Sequence, residues 1–453
     1  MRIIARTAAI GLLLGPLTAV PAAKPAALFS SYDLLTLELK APFGQLFESA
    51  RDDDSVAVPA TLSYQNRDGR EVVLPDVKLS LRGHTSRRET ECAFPKLKLH
   101  FGSPPEDPIF AGMSTVKIGS HCDEREGLTP RFGRLANERS PLREAFVYRL
   151  LAILQVPSYL ARPARITYAE LGSDSRAFTG SITRNAMLLE DDDDAKKRYG
   201  AKAEIDVEAF TNARDTFAPA DVARSAFAEA LIGNFDWCLK MTDDDTYRCD
   251  ARRKLWNVIA LRGTRSLPLI YDFDVSGMVA GEHRWFNQIF NEAFLPSRSH
   301  AAIEVLSQVQ RTRTLFDRSV LDQTRRWFVA RKDEIYRALD LAPLDDPGRA
   351  RIREYADSFF GGIEADDAFY RPVVTGGDAM PYRSDDRAAA FCPAAGPIPA
   401  GTPVSEPLET SGDMVRVVLL DALWHWIARA DCPDLRRNAV WIERSAISSD
   451  FPP

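Results

Sequence analysis

Residues 268 to 277 read Pro268-Leu269-Ile270-Tyr271-Asp272-Phe273-Asp274-Val275-Ser276-Gly277. The apolar start predicts the end of a buried strand. Two carboxylates at i and i+2 then leave it on the same side, flanking an aromatic that can pack inward. Ionised carboxylates in such a place are unfavourable unless paired or bound to a cation. Taken alone, the stretch also reads as a turn that caps the strand, completed by Ser276-Gly277. Its upstream company adds chemistry. Gly233-Asn234-Phe235-Asp236-Trp237 follows a helical pattern, and Trp256-Asn257-Val258 lies on a strand. Asp, then Asn, then a strand-terminal Asp is the order phosphoryl transfer needs: one Asp orients the acceptor hydroxyl, and Asn with the next Asp holds Mg²⁺ against the phosphates.

Working outward, residues 41–69 mix short apolar pieces with turn residues, and residues 71–81 alternate as a strand does. The polar loop Arg82-Gly83-His84-Thr85-Ser86-Arg87-Arg88 follows. Residues 94–101 (FPKLKLHF) predict a second strand, with Lys96, Lys98 and His100 on one face and Leu97, Leu99 and Phe101 on the other. Residues 115–119 predict a third. Ser140-Pro141 opens a helix to about Leu154, since Ser can cap and Pro is preferred at the first helical position. Strands are expected at 164–168 and 186–190, before an acidic run, Asp191 to Asp194, that reads as a solvated loop. A helix over 218–232 ends at Gly233, strands follow at 255–261 and 268–271, and helices at about 300–309, 319–339 and 349–359. Strands, one helix, strands, then mostly helices is an α+β, two-lobed pattern rather than an alternating parallel sheet.

The chain has 453 residues, 45% hydrophobic and 27% charged, which is globular and too long for one ordinary core. Its 58 Lys and Arg against 64 Asp and Glu give a net charge of −6. A bulk nucleic-acid coat needs a cationic surplus and is excluded; a local phosphate site is not. The start, basic at Arg2 and Arg6 and apolar from Ala8 to Val20, reads as a secretory signal peptide over 1–23, cut near Ala22 or Ala23. That predicts a secreted or periplasmic protein with no transmembrane segment in the mature chain. The six cysteines then read as disulfide candidates. The simplest pairing is sequential: Cys92–Cys122, Cys238–Cys249 and Cys392–Cys432.

Residues 361–390 are rich in Gly, Pro and Asp and predict a linker. Short strand-like runs over 391–453, with Val415, Val417, Trp424, Trp426 and Trp441 as core, predict a small all-β barrel. This unit resembles the bacterial SH3-like domain: Gly401-Thr402-Pro403-Val404 precedes Val415-Arg416-Val417, and Ala439-Val440-Trp441-Ile442 stands where a Gly-Trp-Val-like strand is usual.

The rest of the chain resembles the spore-coat protein H (CotH) kinase-like family, particularly its secreted bacterial branch. The matching segments run in family order: Leu81-Arg82-Gly83-His84, Cys92 with Phe94-Pro95, Val116-Lys117-Ile118 and Ser120-His121-Cys122. They continue through LREAFVYRL from Leu142, Arg165-Ile166-Thr167-Tyr168, MLLED from Met187, Gly233 to Trp237, and YDFDVSG from Tyr271. The resemblance implies an atypical protein-kinase-like fold over 24–360, a smaller mostly-β lobe to about residue 190 and a mostly helical lobe after it. It also implies ATP and Mg²⁺ or Mn²⁺ in a cleft between them.

Carried over residue by residue, it gives Asp236 as the catalytic Asp, with Asn257 and Asp272 as metal ligands and Asp274 as a neighbouring one. Lys98 is then the phosphate-binding cation, with Lys96 as the alternative, and Glu144 orients that lysine. Arg82 and Gly83 cover the phosphates, and Glu190 with Asp191 edges the adenine. Each has a plainer reading: alternating lysines as a solvated strand face, and Glu144 as an ordinary first-turn acid. In many family members Asp236 and Asn257 have counterparts closer together. The intervening segment makes Asp243 a substitute ligand. The expected activity is transfer of phosphate from ATP to a protein hydroxyl, with transfer of a nucleotidyl group as an alternative. The rival is a catalytically inactive envelope protein that binds a partner through its cleft, with the SH3-like unit recognising peptide or cell-wall material.

Overall fold

A computed structural model describes residues 23–448 except 52–54, 67, 85, 90–91, 123–138, 173–177, 243–253, 282–299, 314, 371–372, 375–378, 392, 394–395, 399–401, 403, 406 and 420–438. The first part is β1 (Leu35–Ala41), α1 (Phe43–Ser49), β2 (Ala57–Gln65), β3 (Glu71–Leu81), β4 (Leu97–Phe101), β5 (Thr115–Gly119), α2 (Ser140–Leu154), β6 (Ala161–Glu170) and β7 (Ser181–Leu189). The seven strands close into a barrel in the order β1-β2-β3-β4-β5-β7-β6. All neighbours are antiparallel except β1 and β6, whose parallel register from Leu35↔Ala164 to Ala41↔Glu170 closes the circle. Closure removes the open edges a sheet of this size would present. Alternation is visible in β4: Leu97, Leu99 and Phe101 are buried, while Lys98 and His100 are half-buried on the other face.

The chain continues with α3 (Asp192–Arg198), β8 (Ala203–Glu204), α4 (Val207–Ala213), α5 (Pro219–Ile232), β9 (Cys238–Leu239), β10 (Leu255–Trp256), β11 (Val258–Arg262), β12 (Ser266–Ile270), α6 (Gly277–Ala280), α7 (His300–Thr312), α8 (Arg318–Val329), α9 (Lys332–Leu341), α10 (Asp346–Ile363) and α11 (Asp366–Phe369). The protein is thus α+β. One hydrophobic cluster fills the barrel, around Leu39, Leu62, Leu99 and Ile166. A second joins α2 to the later helices through Phe146, Leu150, Phe227, Phe328 and Phe359. Helix α2 belongs to both neighbourhoods, packing on β6 and β7 and also on α5 and α6. Both α2 and α5 end in the left-handed conformation, α5 at Gly233 with φ 64°, where glycine carries no Cβ penalty.

Several elements differ from expectation. Residues 41–69 hold a helix and a strand of the barrel rather than loosely turned pieces. Ser140 is inside α2; Arg139 precedes it as the N-cap and no side chain caps the helix. The acidic run is not a solvated loop. Asp191 caps α3 by accepting from the Asp193 amide, and three acids in the first turn suit the helix dipole. The expected helix over 319–339 is two, α8 and α9, broken at Ala330-Arg331.

Toward the C-terminus, β13 (Val373–Val374), β14 (Glu409–Ser411), β15 (Met414–Val418), β16 (Ala439–Glu443) and β17 (Ile447–Ser448) form a three-stranded antiparallel sheet, β14-β15-β16, and a two-stranded pair, β13-β17. Val415 and Val417 are buried as expected, while Trp441 is half-buried. Trp424 and Trp426 lie outside the described residues. The stretch expected as a linker takes part in pairing: Val373 and Val374 bond to β17, and Tyr382 exchanges two backbone hydrogen bonds with Trp441. Cys92 and Cys122 are disulfide-bonded. Cys249, Cys392 and Cys432 lie outside the described residues, as do residues 1–22. Among the described residues no helix is long and apolar enough to cross a membrane.

Candidate active site

The site is assembled where the barrel meets α2 and the loops after α5, β10 and β12. On the barrel side, Lys96 immediately precedes β4 and its carbonyl accepts from the Arg82 amide, 2.9 Å, at the end of β3. The Cys92–Cys122 disulfide and the Phe94 amide bonded to the Cys122 carbonyl, 2.6 Å, tie down the chain just before Lys96. Gly83 follows Arg82 at φ 83°, and a Cβ there would run into the Ser86 hydroxyl, which bonds back to the Arg82 carbonyl at 3.1 Å. Glycine therefore lets this short loop fold back on itself.

The Lys96 ammonium donates to both acids of the opening motif, 2.8 Å to Asp272 Oδ1 and 3.0 Å to Asp274 Oδ2. The lysine side chain is 12% exposed, those of Asp272 and Asp274 31% and 19%. Phe273 between them is fully buried against the Tyr148 ring, centroids 5.0 Å apart, and the Tyr148 hydroxyl accepts from the Asp272 amide at 3.2 Å. The i, i+2 arrangement thus does what its alternation implied: acids one way, aromatic the other. Burial alone would favour a neutral amine on Lys96. The charges of Asp272, Asp274 and Glu144 reverse this and hold it well above the ordinary lysine range.

Glu144, buried on α2, supplies the third acid. Burial pushes its carboxyl up to about 7; Asp274 and Asp272 add to the rise, while Lys96 and Arg82 oppose it. Three carboxylates face one ammonium here, with the Arg82 guanidinium within electrostatic reach. Among the described residues the Arg82 Nε is buried without a hydrogen-bond partner.

The second half of the site is Asp236 with Asn257. The Trp256 indole donates to Asp236 Oδ1 at 2.9 Å. The Asn257 amide donates to Oδ2 at 3.1 Å and to the Asp236 carbonyl at 2.6 Å. Asn234, fully buried, accepts the Asp236 amide and donates to Glu229. Backbone bonds lock this loop to the motif: Tyr271 N to the Asn257 carbonyl, 3.1 Å, and Gly277 N to the Gly233 carbonyl, 3.0 Å. Asn257 breaks the expected strand at φ 52°, and Asp272, two residues past the end of β12, stands at φ 64°. Each left-handed residue costs about 1 to 2 kcal/mol, although Asn and Asp tolerate that conformation best. Such residues persist only where surrounding bonds over-determine them, as the bonds of Tyr271 and Asn257 do here.

Lys96, Glu144, Asp272 and Asp274 are therefore brought together, and Asp236 and Asn257 join them through the Tyr271 backbone. Lys98 is not in this group. It forms a 2.6 Å ion pair with Asp191. The strand begins at Leu97, so Lys96 lies outside the pleat and can turn toward Asp272. Glu190 is buried and satisfied, accepting Arg198 Nε at 2.8 Å, Arg198 Nη2 at 2.6 Å and the Leu160 amide at 3.1 Å. A carboxylate so engaged has little left to offer a ligand. Asp243 lies outside the described residues.

Tyr148 and Lys117 carried no expected role. Tyr148 sits one turn after Glu144 on the same helix face, a spacing that could have revealed it. Lys117 pairs with Asp192 at 2.7 Å and lies 4.2 Å from the Tyr159 ring centroid. Burial and the nearby Arg82 charge hold its ammonium below the ordinary lysine range.

Among the described residues no three His, Cys, Asp or Glu side chains converge as a metal cluster. Asp272, Asp274 and Asn257 do offer hard oxygen donors. The Asn257 nitrogen is spent on Asp236, leaving its Oδ1 as the atom able to coordinate. Such a set suits a small divalent cation that keeps waters and takes phosphate oxygens.

No protein-family model matches the chain, and no curated protein does. Solved structures with a likeness to it include the proinflammatory kinase CtkA of Helicobacter pylori, at 11% identity and a TM-score of 0.31, covering 59% of this chain and 88% of that one. They also include the HipA–HipB toxin–antitoxin system of Shewanella oneidensis MR-1 with its operator DNA, at 14% identity and a TM-score of 0.28, covering 59% of this chain and 62% of that one.

Proposed function

We propose that this chain is an atypical kinase-like phosphotransferase that moves a phosphoryl group from ATP to a protein hydroxyl. The observation carrying the reading is the Lys96 bridge to Asp272 and Asp274, backed by buried Glu144 and adjoined by the Asp236–Asn257 pair. Asp236 orients the acceptor. As its oxygen bonds to the γ-phosphorus, the bond to the β–γ bridging oxygen breaks, and the hydroxyl proton passes to the Asp236 carboxylate. Trp256 and Asn257 fix that carboxylate in place. Lys96 and Arg82 hold phosphate oxygens, with Glu144 keeping Lys96 aligned, which replaces Lys98 in that role. Asp272, Asp274 and Asn257 Oδ1 would hold Mg²⁺ or Mn²⁺, which neutralises phosphate charge when bound. The C-terminal strands we read as an SH3-like module for peptide or cell-wall ligands.

The test is Mg²⁺- or Mn²⁺-dependent labelling of protein from γ- against α-labelled ATP, with Asp272→Asn as control. Label from the γ position alone, lost in the variant, supports the reading. Label from the α position would redirect it to nucleotidyl transfer. No label from either, with no nucleotide-induced melting shift, sinks it.

A further inference from the structure

A second cationic site lies on the same helix but turned away from the first. Arg143 is 3% exposed; among the described residues its Nε has no hydrogen-bond partner and its Nη2 reaches only Ser140 Oγ, at 3.4 Å. Its methylenes pass Gly348 in the first turn of α10; a Cβ at Gly348 would stand 3.5 Å from Arg143 Cδ. Arg139, the residue before α2, pairs with Asp345 Oδ2 at 2.9 Å, and Asp345 is in turn the N-cap of α10. Arg351, one turn further along α10, lies against Gly281, whose missing side chain leaves room for the guanidinium. Arg351 has no ion-pair partner among the described residues. Arg139 and Arg143 therefore meet the first turns of two helices of 15 and 18 residues, whose amide ends are themselves electropositive, and Arg351 stands one turn on, within electrostatic reach of Arg143. Against them stand Asp345 and, in the first turn of α10, Asp346.

A buried guanidinium with an unused N–H loses the desolvation energy of that group and recovers it only from an acceptor. Asp345 is already shared between Arg139 and the Gly348 amide. We propose that this junction of α2 and α10, lined by Arg139, Arg143 and Arg351, binds a phosphate dianion, either free or as the phosphomonoester of a side chain. Neighbouring guanidiniums, each a forked donor, suit the three oxygens of a phosphate better than a single carboxylate. Burial and the like charge of Arg351 hold the Arg143 pKa down to about 10, as a cationic surplus in a dry place requires. Successive residues of a helix point about 100° apart. Arg143 accordingly faces α10 while Glu144 faces Lys96, and the two sites are separate. Phosphate binding here does not depend on whether the first site transfers phosphate.

The experiment compares melting of the full chain in potassium phosphate with potassium chloride at matched ionic strength, then repeats it with O-phosphoserine. Wild type and Lys96→Met are expected to gain a saturable rise in melting temperature. Arg143→Met and Arg351→Gln should need about tenfold more ligand, or show no rise. In chloride, Arg143→Met should melt no lower than wild type, since it removes an unsatisfied buried charge. A merely structural arginine would instead lower it. A rise from inorganic phosphate alone assigns a free ion, and a rise at lower phosphoserine concentration assigns a modified side chain; both support the site. A rise undiminished in Arg143→Met, or no rise in wild type with either probe, overturns it.

Discussion

The most informative perturbation is Glu144→Gln, because stability and activity should move in opposite directions. The Glu144 carboxyl lies at about 7 rather than near 4.5, through burial first and the charges of Asp274 and Asp272 second. A gap of about 2.5 units corresponds to about 3 kcal/mol of differential interaction. The folded state holds this proton more tightly than the unfolded chain does. Its contribution is therefore complete below about pH 4.5 and is lost as pH rises through about 7. The substitution removes the charge and keeps the shape. In chelator, at constant ionic strength, urea unfolding from about pH 4.5 to 8 should show the variant gaining on wild type by up to about 3 kcal/mol. Nearly all of the gain should accrue between the two pKa values. Nucleotide-dependent labelling should fall, since a neutral amide at this position no longer places a negative charge near Lys96. A variant that is less stable at pH 8, or that keeps the wild-type slope, would refute the reasoning that Glu144 is a buried surplus charge.

Further predictions separate the neighbouring groups. Lys96→Met strips two part-buried carboxylates of their shared ammonium; thermal melts should show a loss of about 1.5 to 3 kcal/mol together with loss of labelling. Lys98→Met should leave substantial labelling, because its partner is Asp191 and not Asp272. Burial would raise the Asp191 carboxyl, but Lys98 and Lys117 more than reverse this and hold it below the ordinary range. The associated stability is present above about pH 4 and lost as pH falls through the lowered pKa, so acid titration of Lys98→Gln should show a flatter limb. Gly277→Ala would drive a methyl into the Tyr355 ring. An overpacking loss of about 1 to 3 kcal/mol is expected, with recovery in Tyr355→Ala measured as a double-mutant cycle.

Much of the local structure was readable beforehand. Alternation located β3, β4 and β5, and Pro141 with the apolar spacing located α2. The order Asp236, Asn257, Asp272 was legible because each residue lies in a loop or break beside regular elements, where side-chain chemistry rather than packing decides identity. Other features were not. The run Asp191 to Asp194 looked like solvent-facing charge; only tertiary contact shows Asp191 capping α3 while pairing with Lys98 on a strand far away in sequence. Glu190 looked available for the same reason and is closed off by Arg198.

The sequence by itself determined which residues could be buried, where the chain must turn, and that three acids or amides of a suitable type occur in a suitable order. These follow from periodicity and from the chemistry of single residues. It favoured Lys98 over Lys96, chemically identical and two residues apart, whereas the lysine that meets Asp272 and Asp274 is Lys96. That choice rests on where β4 begins, and β4 begins where its partners in the barrel let it. Likewise, only the tertiary structure shows that in Tyr271-Asp272-Phe273-Asp274, Tyr148 receives the phenylalanine and Lys96 the two acids. Pairing across 176 residues of chain is a property of the closed barrel and of α2 against it, and no local pattern encodes it.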